Sequence, residues 1–123
     1  MKSYKELIVW QRGIDLVTLI YQETLKFPKE ELYVLVSQMR RSVISIPSNI
    51  SEGYARRTTK EYINFIQIAF GSAAELETQL IIANRLGYLS DKKHLEIDSK
   101  LGEILKMLNG LLVKLKQKLV AKL

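Results

Sequence analysis

From residue 4 to residue 121, apolar side chains return at every third or fourth position, and only a few short stretches interrupt them. That spacing puts one side of each segment against a common core, because about 3.6 residues complete a turn of α-helix. Two prolines and six glycines are the only strong breakers in 123 residues. A chain patterned this way is expected to form long helices joined by short connections.

The first helix is expected over Tyr4–Phe27. Ser3 and Glu6 have capping-box spacing, which satisfies free amides at a helix start. Leu7, Trp10, Ile14, Val17, Tyr21 and Leu25 share one face and read as its core side, and Pro28 ends it by disfavouring helical geometry in the residue before. The second helix is expected over Lys29–Gly53, with Glu30 and Glu31 at its positive dipole end and Gly53 as its stop. Its core face is Leu32, Val36, Met39, Val43, Ile46 and Ile50; Gln38, Arg41, Ser45, Asn49 and Glu52 form a stripe nearly opposite. Pro47 lies inside the pattern and predicts a kink, since the period continues to Ile50; a true break at Ile46 is the alternative.

The third helix is expected over Thr59–Leu86, capped by Thr58 and Glu61 and stopped by Gly87. Tyr62, Phe65, Ile66, Ala69, Ala73, Leu76, Leu80 and Ala83 mark one face, and Ile63, Phe70, Ala74 and Ile81 a second. Gly71, Ala73 and Ala74 are small enough to let another helix approach closely. The fourth is expected over Asp91–Ala121 behind an N-cap at Ser90. Ile97, Leu101, Ile104, Leu108, Leu111 and Leu115 form a heptad seam, with Leu105, Leu112 and Leu119 as a parallel stripe.

Short connections make sequential helices antiparallel neighbours. The expected fold is therefore all-α: a single domain over residues 1–123, an up-down-up-down antiparallel four-helix bundle. The surplus apolar stripes on the third and fourth helices point to self-association, or to a wide core face in a monomer.

Several chemistries lack their parts. The one histidine, His94, is expected to be solvated in the first turn of the fourth helix, and one histidine supplies neither a hydrolytic triad nor a di-iron site. There is no cysteine for a disulfide or a thiolate metal site, and no phosphate-loop glycine spacing. Glu75 and Glu77 point about 200° apart on a helix, so they cannot act as a pair. Hydrogen bonding between helices is the better reading of Glu75 with Gln79 and of Asn49 with Glu52. The expectation is a non-enzyme with no metal and no cofactor. No apolar run reaches the roughly 18 residues that span a bilayer, and the N-terminus lacks a signal-peptide core. A soluble, cytoplasmic protein without a membrane partner is expected.

The formal net charge is +6. An antiparallel bundle would gather Lys2, Lys5, Arg56, Arg57, Lys60, Lys114, Lys116, Lys118 and Lys122 at one end, and Ile104–Leu123 holds five lysines and no acid. Lysines near a helix C-terminus also stabilise the helix and keep a protein soluble. Two adjacent arginines in a loop before a helix N-terminus suit phosphate geometry better than that alone explains. The pole is thus a candidate surface for RNA or DNA backbone, with Arg56, Arg57 and Lys60 foremost and Lys116, Lys118 and Lys122 helping. Tyr54 either stacks on a base or packs across the bundle end.

Leu7–Gln11, Phe27–Glu31, Gln38–Ser42, Ile46–Gly53 and Gly71–Leu80 occur in an order that resembles the bacterial family of 23S rRNA intervening-sequence proteins. The resemblance covers roughly residues 4–115. Ser42 and Ser51 stand where alanine is commoner, and Ala55 where glycine is common. It implies a homo-oligomeric bundle, with pentameric rings among relatives, and a signature of Gln38, Arg41, Asn49, Glu52, Gly53, Arg57, Glu75 and Glu77. It also implies nucleic acid, and a protein such as a reverse transcriptase, as partners, since relatives in diversity-generating retroelements are accessory proteins of that kind. In a ring, Arg41, Glu52, Glu75 and Glu77 are candidates for ion pairs between subunits.

Overall fold

The computed structural model describes residues 2–122. Among them are four long helices and no strand: α1 (Ile8–Thr24), α2 (Ser37–Tyr54), α3 (Thr59–Arg85) and α4 (Asp91–Ala121). They run up, down, up and down. Residues that meet across the bundle fix the registers: Gly13 lies against Pro47, Ser72 donates to Ser45, and Arg12 pairs with Glu103. α2 and α3 pack most extensively, α3 and α4 nearly as closely, and of the four adjacent pairs α1 and α4 touch least.

One apolar core joins the four helices. It contains Leu16 and Ile20 of α1, Met39, Val43, Ile46 and Ile50 of α2, Ile66, Leu76 and Leu80 of α3, and Ile97, Leu101, Ile104 and Leu108 of α4. Each such side chain removed from water contributes roughly 1.5–3 kcal/mol. The heptad seam of α4 therefore faces inward, and its parallel stripe also belongs to the bundle: Leu112 is buried, while Leu105 and Leu119 pack on the core. The surplus read into α4 is absorbed by a wide core, whereas on the second face of α3 Ile63 is buried and Phe70 packs on the core but Ala74 and Ile81 stay exposed.

The expected faces of α1 and the ends of two helices need correction. The side of α1 that enters the core is Val9, Gly13, Leu16, Ile20 and Thr24, not the Trp10–Leu25 stripe. Ile14 and Tyr21 are well exposed and Leu25 is 77% exposed, while Leu7, Trp10 and Val17 only border the core. Gly13 lies on this inner face against the Pro47 ring, where a Cβ would be in ordinary van der Waals contact at 3.4 Å, so α1 crosses α2 at its proline. Before α1, Tyr4–Glu6 forms a separate 3-10 turn that breaks at the extended Leu7. Ser3 accepts the amide of Lys5, and Glu6 accepts that of Lys2, so the expected capping box is a looser arrangement. α1 stops at Thr24, ahead of Pro28, because the turn that follows closes by shorter bonds from Lys26 to Glu23 and from Phe27 to Thr24.

α2 also starts later than expected. Lys29–Glu31 is a 3-10 turn and Leu32–Val36 a π-helical turn. The wider turn rotates Leu32 into solvent while keeping Val36 in the core. Pro47 stays inside a continuous α2, so the helix is not broken at Ile46. Gly53 is not a stop: α2 continues to Tyr54. Gly87 is one, with φ at 83°, and its two closing bonds (Tyr88 N–H to Ala83, Gly87 N–H to Asn84) form a Schellman end to α3.

The glycines separate by what surrounds them. A Cβ on Gly53 would lie 2.8 Å from the Phe65 Cβ and 3.0 Å from the Tyr62 ring, whereas Gly71, Gly102 and Gly110 face open space. Close approach at the α2–α3 hairpin thus rests on Gly53, with Ala69 and Ala73 in the core beyond, and not on Gly71 or the exposed Ala74. Gly53→Ala is expected to cost about 1–3 kcal/mol through overpacking. Gly102→Ala is expected to gain about 0.5–1 kcal/mol from helix propensity. Urea denaturation of the two variants beside wild type checks both signs.

Candidate nucleic-acid interface

The start of α3 and the end of α2 meet through the Ala55–Thr58 loop, at the same end of the bundle as the 3-10 turn before α1 and the last turns of α4. Lys116, Lys118 and Lys122 are exposed there, as are Arg56, Arg57 and Lys60. The structure therefore brings the six expected phosphate-binding residues to one pole, although they are not equivalent.

Arg56 is engaged by its own bundle. Its guanidinium lies 4.6 Å from the centre of the Phe65 ring and 3.8 Å from the Glu52 carboxylate. Phe65 is within reach because it sits opposite Gly53 on the neighbouring helix, a platform that the periodicity of α3 alone did not reveal. Arg57 and Lys60 make no ion pair among the described residues. They stand on solvent with their charge available.

The start of α3 is less open to an anion than its dipole suggests. Thr58 accepts the amide of Glu61 at 3.1 Å and donates its hydroxyl to the Glu61 carboxylate at 3.0 Å. One orphan amide is thereby filled, and an acid sits in the first turn. Cationic side chains remain as the means of holding phosphate. Tyr54 meets Tyr62 edge to face at 6.1 Å, so it packs across the bundle end and offers no free ring for base stacking. Burial first, and then Tyr54, pushes the Tyr62 hydroxyl above the ordinary tyrosine range, so it stays neutral and adds no negative charge to the pole.

The expected signature residues run down the α2–α3 seam instead of lying opposite the core. Ser45 receives the Ser72 hydroxyl at 2.8 Å across the two helices, and the Asn49 amide donates back to Ser45. One turn on, antiparallel packing sets Arg41 level with Glu75. Gln38, Arg41 and Glu75 are exposed and Glu77 is half-buried. Glu52 holds Arg56 within its own chain, while Arg41, Glu75 and Glu77 form no ion pair among the described residues. The polar bond between helices is Ser72 to Ser45, a pair the sequence reading did not name, in place of the expected Glu75 with Gln79 or Asn49 with Glu52. Gln79 is buried on the same seam with its Oε1 unpartnered.

His94 is half-buried with its Nε2 enclosed and unpartnered, not solvated as expected. Among the described residues no group of three or more His, Cys, Asp or Glu side chains could hold a metal ion. Among the described residues no helix is long and apolar enough to cross a membrane either.

The family model described as 23S rRNA-intervening sequence protein matches residues 5–110. The chain belongs to this family. A crystal structure with the same fold is that of a protein of unknown function from the S23 ribosomal protein family of Bacteroides thetaiotaomicron VPI-5482. It is 25% identical, with a TM-score of 0.78, and the match covers 85% of this chain and 98% of that one. No curated protein matches the chain. Membership accounts for the resembling blocks from Leu7 to Leu80, which include buried positions of α2 and α3 such as Met39, Ile46, Ile50, Gly53, Ala73 and Leu76.

The two adjacent arginines are expected to differ in stability effect. Arg56→Ala uncovers Phe65 and frees Glu52 and is expected to cost about 0.5–1 kcal/mol. Arg57→Ala is expected to stay within about 0.5 kcal/mol of wild type. Thermal or urea unfolding resolves the difference.

Proposed function

We propose that this protein is a non-enzymatic, cytoplasmic, homo-oligomeric bundle that grips nucleic-acid backbone through its basic pole. The observation that carries the reading is the cluster of exposed cations at one end, with Arg57 and Lys60 uncommitted to any carboxylate among the described residues. Charge of this kind attracts phosphate irrespective of base sequence. The packed Tyr54–Tyr62 pair leaves little for stacking, which favours backbone contact over readout of unpaired bases. Arg57, Lys60, Lys116, Lys118 and Lys122 are the phosphate ligands in this reading; Arg56 supplies field and shapes the loop. Assembly as a ring, five-membered by family resemblance, would repeat the basic pole around an axis and multiply weak contacts.

A second reading, a scaffold for a protein partner such as a reverse transcriptase, is favoured by the exposed apolar stripe of α1. The two readings differ in salt response. For the first, RNA or duplex DNA affinity measured by fluorescence anisotropy should fall steeply with salt, with a log–log slope of about 0.9 per duplex phosphate held. Arg57→Glu with Lys60→Glu should weaken binding on the order of tenfold or more and lower that slope by about 2. Wild-type protein that binds neither nucleic acid at low salt would remove the first reading.

A further inference from the structure

α1 and α4, the least closely packed neighbours, leave a hollow of about 430 Å³ between them. That volume falls within the range of about 300–1,000 Å³ usual for small-molecule sites. Leu16, Leu19 and Ile104 give it an apolar floor. Its walls are charged: Arg12 and Asp15 stand on α1, and Glu96, Lys100 and Glu103 on α4.

Two of the three carboxylates are already engaged. Arg12 meets Glu103 at 2.6 Å, and Lys93, outside the hollow, meets Glu96 at 3.1 Å. Lys93 first, and then Lys100, hold the Glu96 carboxyl below its ordinary range, so it stays ionised. One carboxylate and one ammonium are left over. Asp15 and Lys100 each lie three residues from the Arg12–Glu103 contact, in the direction that antiparallel helices share, so they stand level on opposite walls. Neither makes an ion pair among the described residues. Opposite charges that face each other without meeting leave room for a third group between them.

We infer that this hollow binds a zwitterion, a free α-amino acid with an aliphatic side chain, whose ammonium meets Asp15 and whose carboxylate meets Lys100. Simpler occupants fail on charge. An anion alone meets three carboxylates, and a cation alone meets Arg12 and Lys100. A metal ion lacks a cage, since no three His, Cys, Asp or Glu side chains among the described residues are placed to hold one. An uncharged apolar molecule would strip water from both leftover charges and give nothing back. An amino acid carries both charges on one carbon and so answers both walls at once. Its aliphatic chain lies over Leu19 and closes off Leu16 and Ile104, which the bundle already buries.

The hollow includes none of the cations of the basic pole, so its occupancy is independent of the nucleic-acid reading. A ligand held there ties α1 to α4 across their loose contact, and binding to the folded chain alone raises the unfolding temperature.

The experiment is isothermal titration calorimetry of the full chain with L-leucine at low ionic strength, with thermal unfolding followed on the same samples. Isopentylamine, which lacks the carboxylate, and isocaproate, which lacks the ammonium, are titrated as the two half-ligands. Asp15→Asn, Lys100→Gln and Lys106→Gln are run beside wild type; all three positions are exposed, and Lys106 lies outside the hollow. The expected result is saturable binding of L-leucine that raises the unfolding temperature, with each half-ligand weaker by about tenfold or more. Asp15→Asn and Lys100→Gln should each weaken L-leucine on the order of tenfold, and Lys106→Gln should keep the wild-type affinity. No saturable signal from L-leucine by either readout overturns the site and leaves Asp15 and Lys100 as solvated surface charges. A half-ligand that binds wild type as tightly as L-leucine overturns the zwitterion, even where a variant fails to fold. L-leucine affinity that survives both Asp15→Asn and Lys100→Gln overturns the placement of the two charges.

Discussion

A methyl group on Gly53 would sit 2.8 Å from the Cβ of Phe65, a distance that side chains do not tolerate. α2 and α3 come that close because this position carries none, and much else is arranged around the contact. It brings Phe65 under Arg56 and sets Tyr62 against Tyr54. Further along the seam Ser45 meets Ser72, with Ile46, Ile50, Ala69 and Ala73 enclosed behind. The hairpin is thus both the best-packed part of the core and the mount for the loop that carries the arginines. Its Phe65 ring, under Arg56 alone, is what gives Arg56 and Arg57, neighbours in sequence, different surroundings.

The elements were legible in the sequence because breakers are so few. Thr58, Ser90 and Gly87 mark helix ends as the structure has them: both hydroxyls accept a first-turn amide, and Gly87 takes the positive φ. The orientation of α1 was not legible. Val9, Gly13, Leu16 and Ile20 have the same spacing as Trp10, Ile14, Val17 and Tyr21, and the second set is bulkier. Bulk argues for the wrong side, since the stripe that enters the core is the less bulky one carrying Gly13, which lies against Pro47. Likewise a π-helical turn at Leu32–Val36 has no signal in a three-to-four-residue period, and it turned one expected core residue outward. At the pole, the clustering of cations followed from topology alone. Which arginine is engaged depended on a ring from the next helix, which no local pattern announces.

Charge and apolar surface are segregated on this molecule. Exposed cations gather at one end, and the exposed apolar stripe of α1 borders a groove whose lining holds one ionised group, Arg40, already stacked on a ring. In the proposed reading phosphate is held at the pole, away from that groove.

The loosely packed seam between α1 and α4 bears on the order in which the chain folds. The tight helix pairs, α2 with α3 and α3 with α4, are adjacent in sequence, so the chain closes only short loops to form them, a topology associated with rapid folding. Joining α1 to α4 instead brings the two ends of the molecule together, with the Arg12–Glu103 pair as the clasp between them. Docking α1 on α4 is therefore expected to follow the hairpin steps, since it closes the longest loop. By the same ordering α1 is the element whose detachment disturbs the others least, a low-energy opening in an otherwise cooperative bundle.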